Sequence, residues 1–407
     1  MTASLSSPDE AGAARPVVRL RPKANARAIR HGFPWVYANE LVTDRRTKGL
    51  APGTVAVLQD DARAALGTVA VNPASKIICR MLDRDAEAQI DRGWFATRLR
   101  KALALRTRLF RDPYYRLIHA EADGLPGVVI DRFGGTCVIQ PNAAWAEALL
   151  HPLTEALIEV TGVKTVLKNA SGRTRTLEGL DATSAVLAGT APAGPVAVPM
   201  NGATYRADLT GGQKTGLFFD QRPNHAFAAN LARGARVLDV FSHVGGFSLA
   251  ALAAGAVSAL AVDASAPALD LARAGAEVTG VRDRFETRQG DAFAVLSALA
   301  DEGAQFDLVI CDPPAFAPAK PALEAGLRAY ERIARLAAPL VAENGVLGLC
   351  SCSHAADLAA FRAASARGIG RAGRRGSLLY TGFAGPDHPQ LPHLAESGYL
   401  KSLFFQL

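Results

Sequence analysis

The sequence predicts an α/β protein whose second half is a doubly wound, mostly parallel sheet, preceded by a small β-barrel-like domain and a small α+β domain. Three observations carry this. Strand-like apolar runs alternate with helix-like stretches over residues 200–407, the pattern of parallel strands joined by crossover helices. Arg236 to Asp263, RVLDVFSHVGGFSLAALAAGAVSALAVD, reads as a strand, a Gly-containing turn, an Ala/Leu-rich helix and a second strand. Residues 17–82 break instead into short apolar runs between turn signals. At 407 residues the chain exceeds one ordinary domain. Its parts read as a disordered lead-in over 1–15 and domains over 16–90, 91–195 and 196–407.

Composition narrows the classes. Apolar content of 49% and charged content of 20% describe a globular chain with ample core. No window approaches ~18 uninterrupted apolar residues, so no membrane span is expected. MTASLSSPDEAGAARP has no apolar signal core. The five cysteines are odd in number and scattered, which argues against a disulfide framework and for a reducing compartment, hence the cytoplasm. Cys350, Cys352 and His354 are spaced too tightly for a closed zinc site, and no metal is expected. Residues 1–111 hold 20 Lys and Arg against 10 Asp and Glu, and the remainder 25 against 28. A basic front on a near-neutral body is the footprint of a polyanion-binding module, although an Arg-rich genome would also give it.

In the front domain the runs VVRL, PWVY, TVAVL, ALGTVAV and IICRML are separated by Pro34, Pro52-Gly53, Asp60-Asp61 and Asn72-Pro73. Arg21, Lys23, Arg27, Arg30 and His31 neighbour Phe33, Trp35 and Tyr37, a mixture that suits RNA phosphates and bases. Trp35 and Tyr37 also fit core positions at strand period two. RGWFATRLRKALALRTRLFR, 92–111, predicts a helix with Phe95, Leu99, Leu103, Leu105 and Leu109 on its apolar side. Arg98, Lys101, Arg106 and Arg108 would lie on a basic outer face. Residues 116–190 read as two strands around Leu125-Pro126-Gly127, the strand CVIQ, a helix from Trp145 to Val160 and the strand VKTVLKN. AGTAPAGPVAVP, 188–199, reads as a linker.

In the last domain four carboxylates, Asp239, Asp263, Asp291 and Asp312, fall at strand ends or just after them, where an open α/β sheet binds ligands. Gly245 and Gly246 open the first helix, and Asp263 follows Gly245 by eighteen residues. Glycines that admit a ligand to the backbone and a carboxylate that accepts ribose hydroxyls make a nucleoside pocket. The spelling is not G-x-G-x-x-G, so S-adenosylmethionine fits better than a dinucleotide; a buried βαβ unit with no ligand is the plainer alternative. In Asp312-Pro313-Pro314-Ala315-Phe316 the prolines restrict the loop, hold Asp312 at the sheet edge and leave Phe316 as a stacking surface for a base. Cys352 follows the next strand and would sit beside Asp312. A thiolate there could add to carbon 6 of cytosine and make carbon 5 nucleophilic, with Asp312 at the N3/N4 edge. Buried strand-end cysteines are common, however, and Cys350 and Cys311 read as core.

The chain resembles the RlmI-like class I methyltransferases, bacterial enzymes that form 5-methylcytosine in large-subunit ribosomal RNA. The front resembles their PUA domain through VRLRPKANARAIRHGFPWVYANEL. The likeness continues through YRLIHAEADGLPGVVIDRFG, GGQKTGLFFDQR, VLDVFSHVGGFSLAA, VDAS, GDAF, DPPAF, SCSH, DHP and GYLK. It implies a Rossmann-like catalytic domain and S-adenosyl-L-methionine as cofactor. Gly245 and Gly246 would take the methionine part of the donor, Asp263 the ribose, and Asp291 with Ala292 the adenine region. Gln221 and Arg222 would lie against the donor beside Asp239, Phe241 and Asp312. Cys352 would be the nucleophile, Asp312 its catalytic partner, and Arg21, Lys23, Arg27, Arg30 and Phe316 would contact RNA. Three positions depart from the members' pattern: His354 replaces glycine, Ala315 lysine and Asp239 asparagine.

The sequence therefore points to an S-adenosylmethionine-dependent RNA cytosine-5 methyltransferase acting on ribosomal RNA, with no metal and no membrane. Its competitors are an N-methyltransferase on guanine or adenine, in which Cys352 is incidental, and a non-catalytic RNA-binding or assembly factor. The target nucleotide and the oligomeric state, a homodimer included, stay open.

Overall fold

The structure, a computed structural model, describes residues 15–211 and 216–407. The lead-in over 1–14 and residues 212–215, inside GGQKTGLFFDQR, lie outside the described residues. The front domain is one five-stranded sheet made of β1 (Val17–Arg19), β2 (Trp35–Tyr37), β3 (Thr54–Gln59), β4 (Ala65–Val71) and β5 (Ile77–Asp83). Its order is β1-β3-β4-β5-β2, with a bridge from Leu20 to Leu41. Its curvature has a local cause. Gly67, at φ +142°, lets β4 pass so close to β5 that a Cβ would lie 2.2 Å from the Asp83 carbonyl oxygen. The register of β4 shifts against both neighbours beside this glycine, which bends the strand. Leu20, Val36, Leu41, Leu58, Val69 and Ile78 fill the core. Trp35 and Tyr37 alternate with buried Val36 and are half-buried, so neither is a core residue of this sheet.

The next helix, Arg92–Leu109, is capped by Asp91, whose carboxylate accepts the Trp94 N–H. Phe95 and Leu99 are buried, and Phe95 stacks on Trp145 at 5.9 Å, but Leu105 and Leu109 are exposed. The basic face departs from its reading. Arg106 is fully buried, paired bidentately with Asp123 at 2.9 and 2.7 Å. Arg98 pairs with Asp83 and lies 3.5 Å from the centroid of the Trp94 ring. That side of the helix faces other domains; Lys101 and Arg108 alone of the four are exposed.

The central sheet holds β6 (Tyr114–His119), β7 (Val128–Phe133), β8 (Thr136–Pro141), β9 (Thr165–Lys168) and β10 (Ala185–Ala188), in the order β10-β9-β8-β7-β6. The helices Arg92–Leu109 and Leu150–Thr161 share one apolar cluster with it, centred on Trp145, Leu117 and Ile130. The linker is shorter than read, because β11 (Val196–Met200) pairs with β12 (Ala203–Ala207) in a hairpin.

The last domain is a seven-stranded sheet of β13 (Arg236–Val240), β14 (Ser258–Asp263), β15 (Phe285–Gln289), β16 (Phe306–Cys311), β17 (Val341–Ser351), β18 (Ser377–Gly382) and β19 (Lys401–Gln406). The order is β15-β14-β13-β16-β17-β19-β18, parallel as far as β17, with β19 antiparallel to both neighbours. Leu249, Leu269 and Ala272 cover one face from the helices Gly246–Ala253 and Ala266–Thr279; Leu296, Ile333 and Phe361 cover the other. The doubly wound, mostly parallel sheet of the sequence reading is therefore the fold. Its chain order reverses at β13, between β14 and β16, and such a switch point opens a crevice at the carboxyl ends of the strands.

Candidate active site

Register brings the strand ends together. Val240 pairs with Val262 and with Cys311, so Asp263 and Asp312 both follow residues level with the end of β13. The Asp312 N–H donates to the Val240 carbonyl at 3.1 Å. The loop after β13 is unusual: Phe241, His243 and Gly245 adopt φ of +62°, +50° and +80°. Two non-glycine residues at positive φ cost energy, and such strain gathers at functional loops. Asp263 holds this loop, accepting from the His243 and Ser265 N–H groups at 2.8 Å each.

Asp239 is fully buried; one oxygen accepts the Ser248 N–H at 2.9 Å and the other, Oδ1, has no hydrogen bond. Burial raises its carboxyl to about 6, and the nearby charge of Asp263 adds to the rise. Ser242 Oγ and Gln221 Nε2 are likewise buried without partners. Two adjacent carboxylates with spare acceptor capacity suit a ligand that carries a positive charge and hydroxyls. The two glycines are closely packed by the protein. A Cβ on Gly246 would lie 2.7 Å from His225 Nε2, so the protein itself fills that space.

Cys352 is half-buried, and its Sγ lies 4.0 Å from the Pro313 carbonyl oxygen in the loop that begins at Asp312. The flanking serines hold it there. Ser351 and Ser353 are fully buried and bond the Tyr330 hydroxyl at 2.9 and 2.7 Å, and Ser353 Oγ also accepts the Ala317 N–H. Lys401 Nζ ties down the same loop, donating to the Ser353 and Ala356 carbonyls at 2.7 Å each. Burial pushes Lys401 below the usual ammonium range, while Cys352 and Asp357 act to keep it charged. Cys311 and Cys350 are buried in the sheet, and burial pushes both thiols far up.

Several residues named from the sequence stand elsewhere or do other work. Arg222 points at the central domain, donating to the Tyr114 carbonyl, with its guanidinium 4.4 Å from the Phe110 ring centroid. These contacts tie the last domain to the central one. Gln221 stays at the sheet edge, where Oε1 accepts from Asn224 at 2.6 Å. Asp291 is exposed and caps the helix Ala292–Asp301 through the Ala294 N–H at 3.0 Å; Ala292 is buried. Phe316 packs into an aromatic cluster, 5.0 Å from Tyr330, 6.2 Å from Phe293 and 6.5 Å from Phe241. In the front domain Arg21 donates to the Leu41 carbonyl, Arg27 to His31, and Arg30 pairs with Asp60. Lys23 is exposed, at φ +71°.

The sequence reading missed a buried polar group beside the crevice. Asp387 and His388 pack against Arg106, Arg116 and His119, and Tyr399 donates to Asp220 Oδ2 at 2.6 Å. Burial lowers His119 to about 2 and His388 to about 3, so both rings are neutral. The motifs DHP and GYLK mark these positions, but spacing alone assigns them no partner.

Residues 162–373 match the family of S-adenosylmethionine-dependent methyltransferases, and residues 18–84 match the PUA-like domain. The ribosomal RNA large subunit methyltransferase I of Shewanella denitrificans is 35% identical over 390 residues, 95% of this chain and 98% of that one. The protein of the same name from Alteromonas mediterranea is 36% identical over 391 residues, 95% of this chain and 97% of its own. Among solved structures, a SAM-dependent methyltransferase from Streptococcus mutans superposes with a TM-score of 0.81 at 20% identity, covering 96% of this chain and 100% of its own. SMU.776, a methyltransferase complexed with SAH, also gives 0.81, at 21% identity over 96% and 99%. These structures share the fold. Among the described residues no group of His, Cys, Asp and Glu could hold a metal ion, and no helix is long and apolar enough to cross a membrane.

Proposed function

Since the chain belongs to the family of S-adenosylmethionine-dependent large-subunit ribosomal RNA methyltransferases with a PUA-like front domain, we propose that it methylates carbon 5 of a cytosine through a covalent Cys352 adduct. The observation that carries this reading is Cys352 itself, the half-exposed member of Ser351-Cys352-Ser353, held 4.0 Å from the Pro313 carbonyl at the mouth of the crevice.

The bound donor supplies an electrophilic methyl group on sulfonium. Asp239 and Ser242, with buried unpaired oxygens, would take its amino-acid end, Asp263 would accept the ribose hydroxyls, and Asp291 with Ala292 would border the adenine. Cys352 adds to carbon 6, which carbon 5 needs because it is otherwise a poor nucleophile. Asp312 hydrogen-bonds the N3/N4 edge as charge develops there. Carbon 5 would then attack the sulfonium methyl, breaking the S–CH3 bond and leaving the donor as a neutral thioether; transfer of the carbon-5 proton to a water restores the 5,6 double bond and expels the Cys352 thiolate. Lys401 does not touch the base. Its ammonium group interacts with Cys352, and its two carbonyl bonds set the loop. The cytosine must be single-stranded or flipped, because carbon 6 is unreachable in a stacked helix.

Cys352→Ala and Cys352→Ser should abolish methyl transfer to ribosomal RNA from a strain lacking the enzyme, with donor binding by calorimetry retained. Turnover unchanged in both would sink the covalent mechanism. Mass-spectrometric mapping of the product separates carbon 5 from a ring or exocyclic nitrogen, the outcome expected of an N-methyltransferase.

A further inference from the structure

A cytosine in this crevice needs two kinds of contact. Hydrogen bonds at its edge fix it in plane, and a wall against its face sets carbon 6 over the sulfur. Phe316, the aromatic nearest in sequence to Asp312, is engaged by Phe241, Phe293 and Tyr330. Another ring lies beside the Cys352 loop. Tyr399 lies two residues before β19, whose Lys401 pairs with Ser351 at the end of β17, so the chain brings it alongside the Cys352 loop. Its hydroxyl is fixed on Asp220, a buried carboxylate whose other oxygen accepts the Gln221 N–H at 3.0 Å. The ring remains part-exposed, 5.5 Å from the exposed ring of His354 and 6.5 Å from His119. A tyrosine anchored by its polar end and only partly covered can present its ring to another flat group.

We propose that the Tyr399 ring, with His354 at its border, is the stacking wall that seats the target pyrimidine over Cys352. The proposal rests on Cys352 as the nucleophile, and it makes Tyr399 and His354 residues of base recognition. Asp220 is a positioning residue that acts through the tyrosine hydroxyl.

The test uses full-length protein and ribosomal RNA from a strain lacking the enzyme. Base–aromatic stacking sets the scale, so Tyr399→Leu should raise KM for RNA by about 10- to 100-fold, with donor Kd near wild type. Tyr399→Phe should recover most of that loss. His354→Ala, a change at an exposed ring, should raise KM severalfold. An unchanged KM in Tyr399→Leu, or a loss in Tyr399→Phe as large as in Tyr399→Leu, would overturn the proposal; so would donor binding that falls in step with KM. RNA carrying 5-fluorocytidine tests the underlying reading separately, because fluorine cannot leave as a proton does. Wild type that forms no covalent adduct refutes the Cys352 mechanism, whereas an adduct with normal RNA affinity in Tyr399→Leu refutes only the wall.

Discussion

At the scale of single residues, Asp239 is the side chain whose chemistry is most exposed to test. Its carboxyl is raised from an ordinary 3.8 to about 6, chiefly by burial. The folded state therefore prefers it protonated. That contribution to stability is fully present below about pH 4 and is lost as pH rises through about 6. Asp239→Asn removes the cost of the buried charge. The variant should gain up to about 3 kcal/mol over wild type at pH 8, and the gain should vanish near pH 4. Denaturant melts at the two pH values check this, and equal differences at both would refute it. The same carboxylate must be ionised to meet a cationic group. Donor affinity should fall about tenfold per pH unit below about 6 in wild type, and much less in Asp239→Asn. Calorimetric Kd values from pH 5 to 8 that coincide for the two proteins would remove Asp239 from the donor site.

At the scale of elements, the strand–turn–helix from Arg236 to Ala253 was legible because apolar runs, a Gly pair and an Ala/Leu-rich stretch each dictate local structure. The partner of the turn was not. The space that a side chain at Gly246 would take is held by His225, whose ring packs edge-on against Phe247 at 4.4 Å. What fills a space depends on tertiary neighbours, which periodicity does not encode. The hairpin β11–β12 and the edge strand β18 were hidden for related reasons. One begins in Pro/Ala-rich sequence that reads as linker, and the other exposes Leu378 and Leu379 without alternation. Gly246→Ala should cost about 1–3 kcal/mol, because its methyl would press on a buried ring. Combined with His225→Ala, which frees the space, the loss should be smaller than the sum of the two. A denaturant double-mutant cycle decides, and additive losses would show that the two residues do not share the space.

At the scale of the molecule, buried arginines reach across domain boundaries, and one of them was misread from the sequence. Helical spacing placed Arg106 on a basic outer face, but periodicity cannot distinguish a face toward solvent from a face toward another domain. Its partners are Asp123 and the Asp387 carbonyl, the latter 281 residues away in sequence. The front domain docks in the same manner through Arg80. Its guanidinium bonds Glu121 at 3.0 Å and Glu178 at 3.2 Å, while Glu178 also accepts from Asn72 and Ser75 at 2.9 Å each. Trp35 donates to the same Glu121 oxygen at 2.8 Å, so an aromatic that looked suited to bases serves the interface. Arg80→Met keeps the bulk of the side chain but strands two buried carboxylates, at a cost of roughly 3–5 kcal/mol. That cost falls on the contact between the front and central domains, not on the donor crevice in the sheet of β13 to β19. The front domain should then melt as a separate transition below the rest of the protein in scanning calorimetry, with donor Kd unchanged. A single transition at the wild-type temperature would mean that Arg80 is not what couples the two domains.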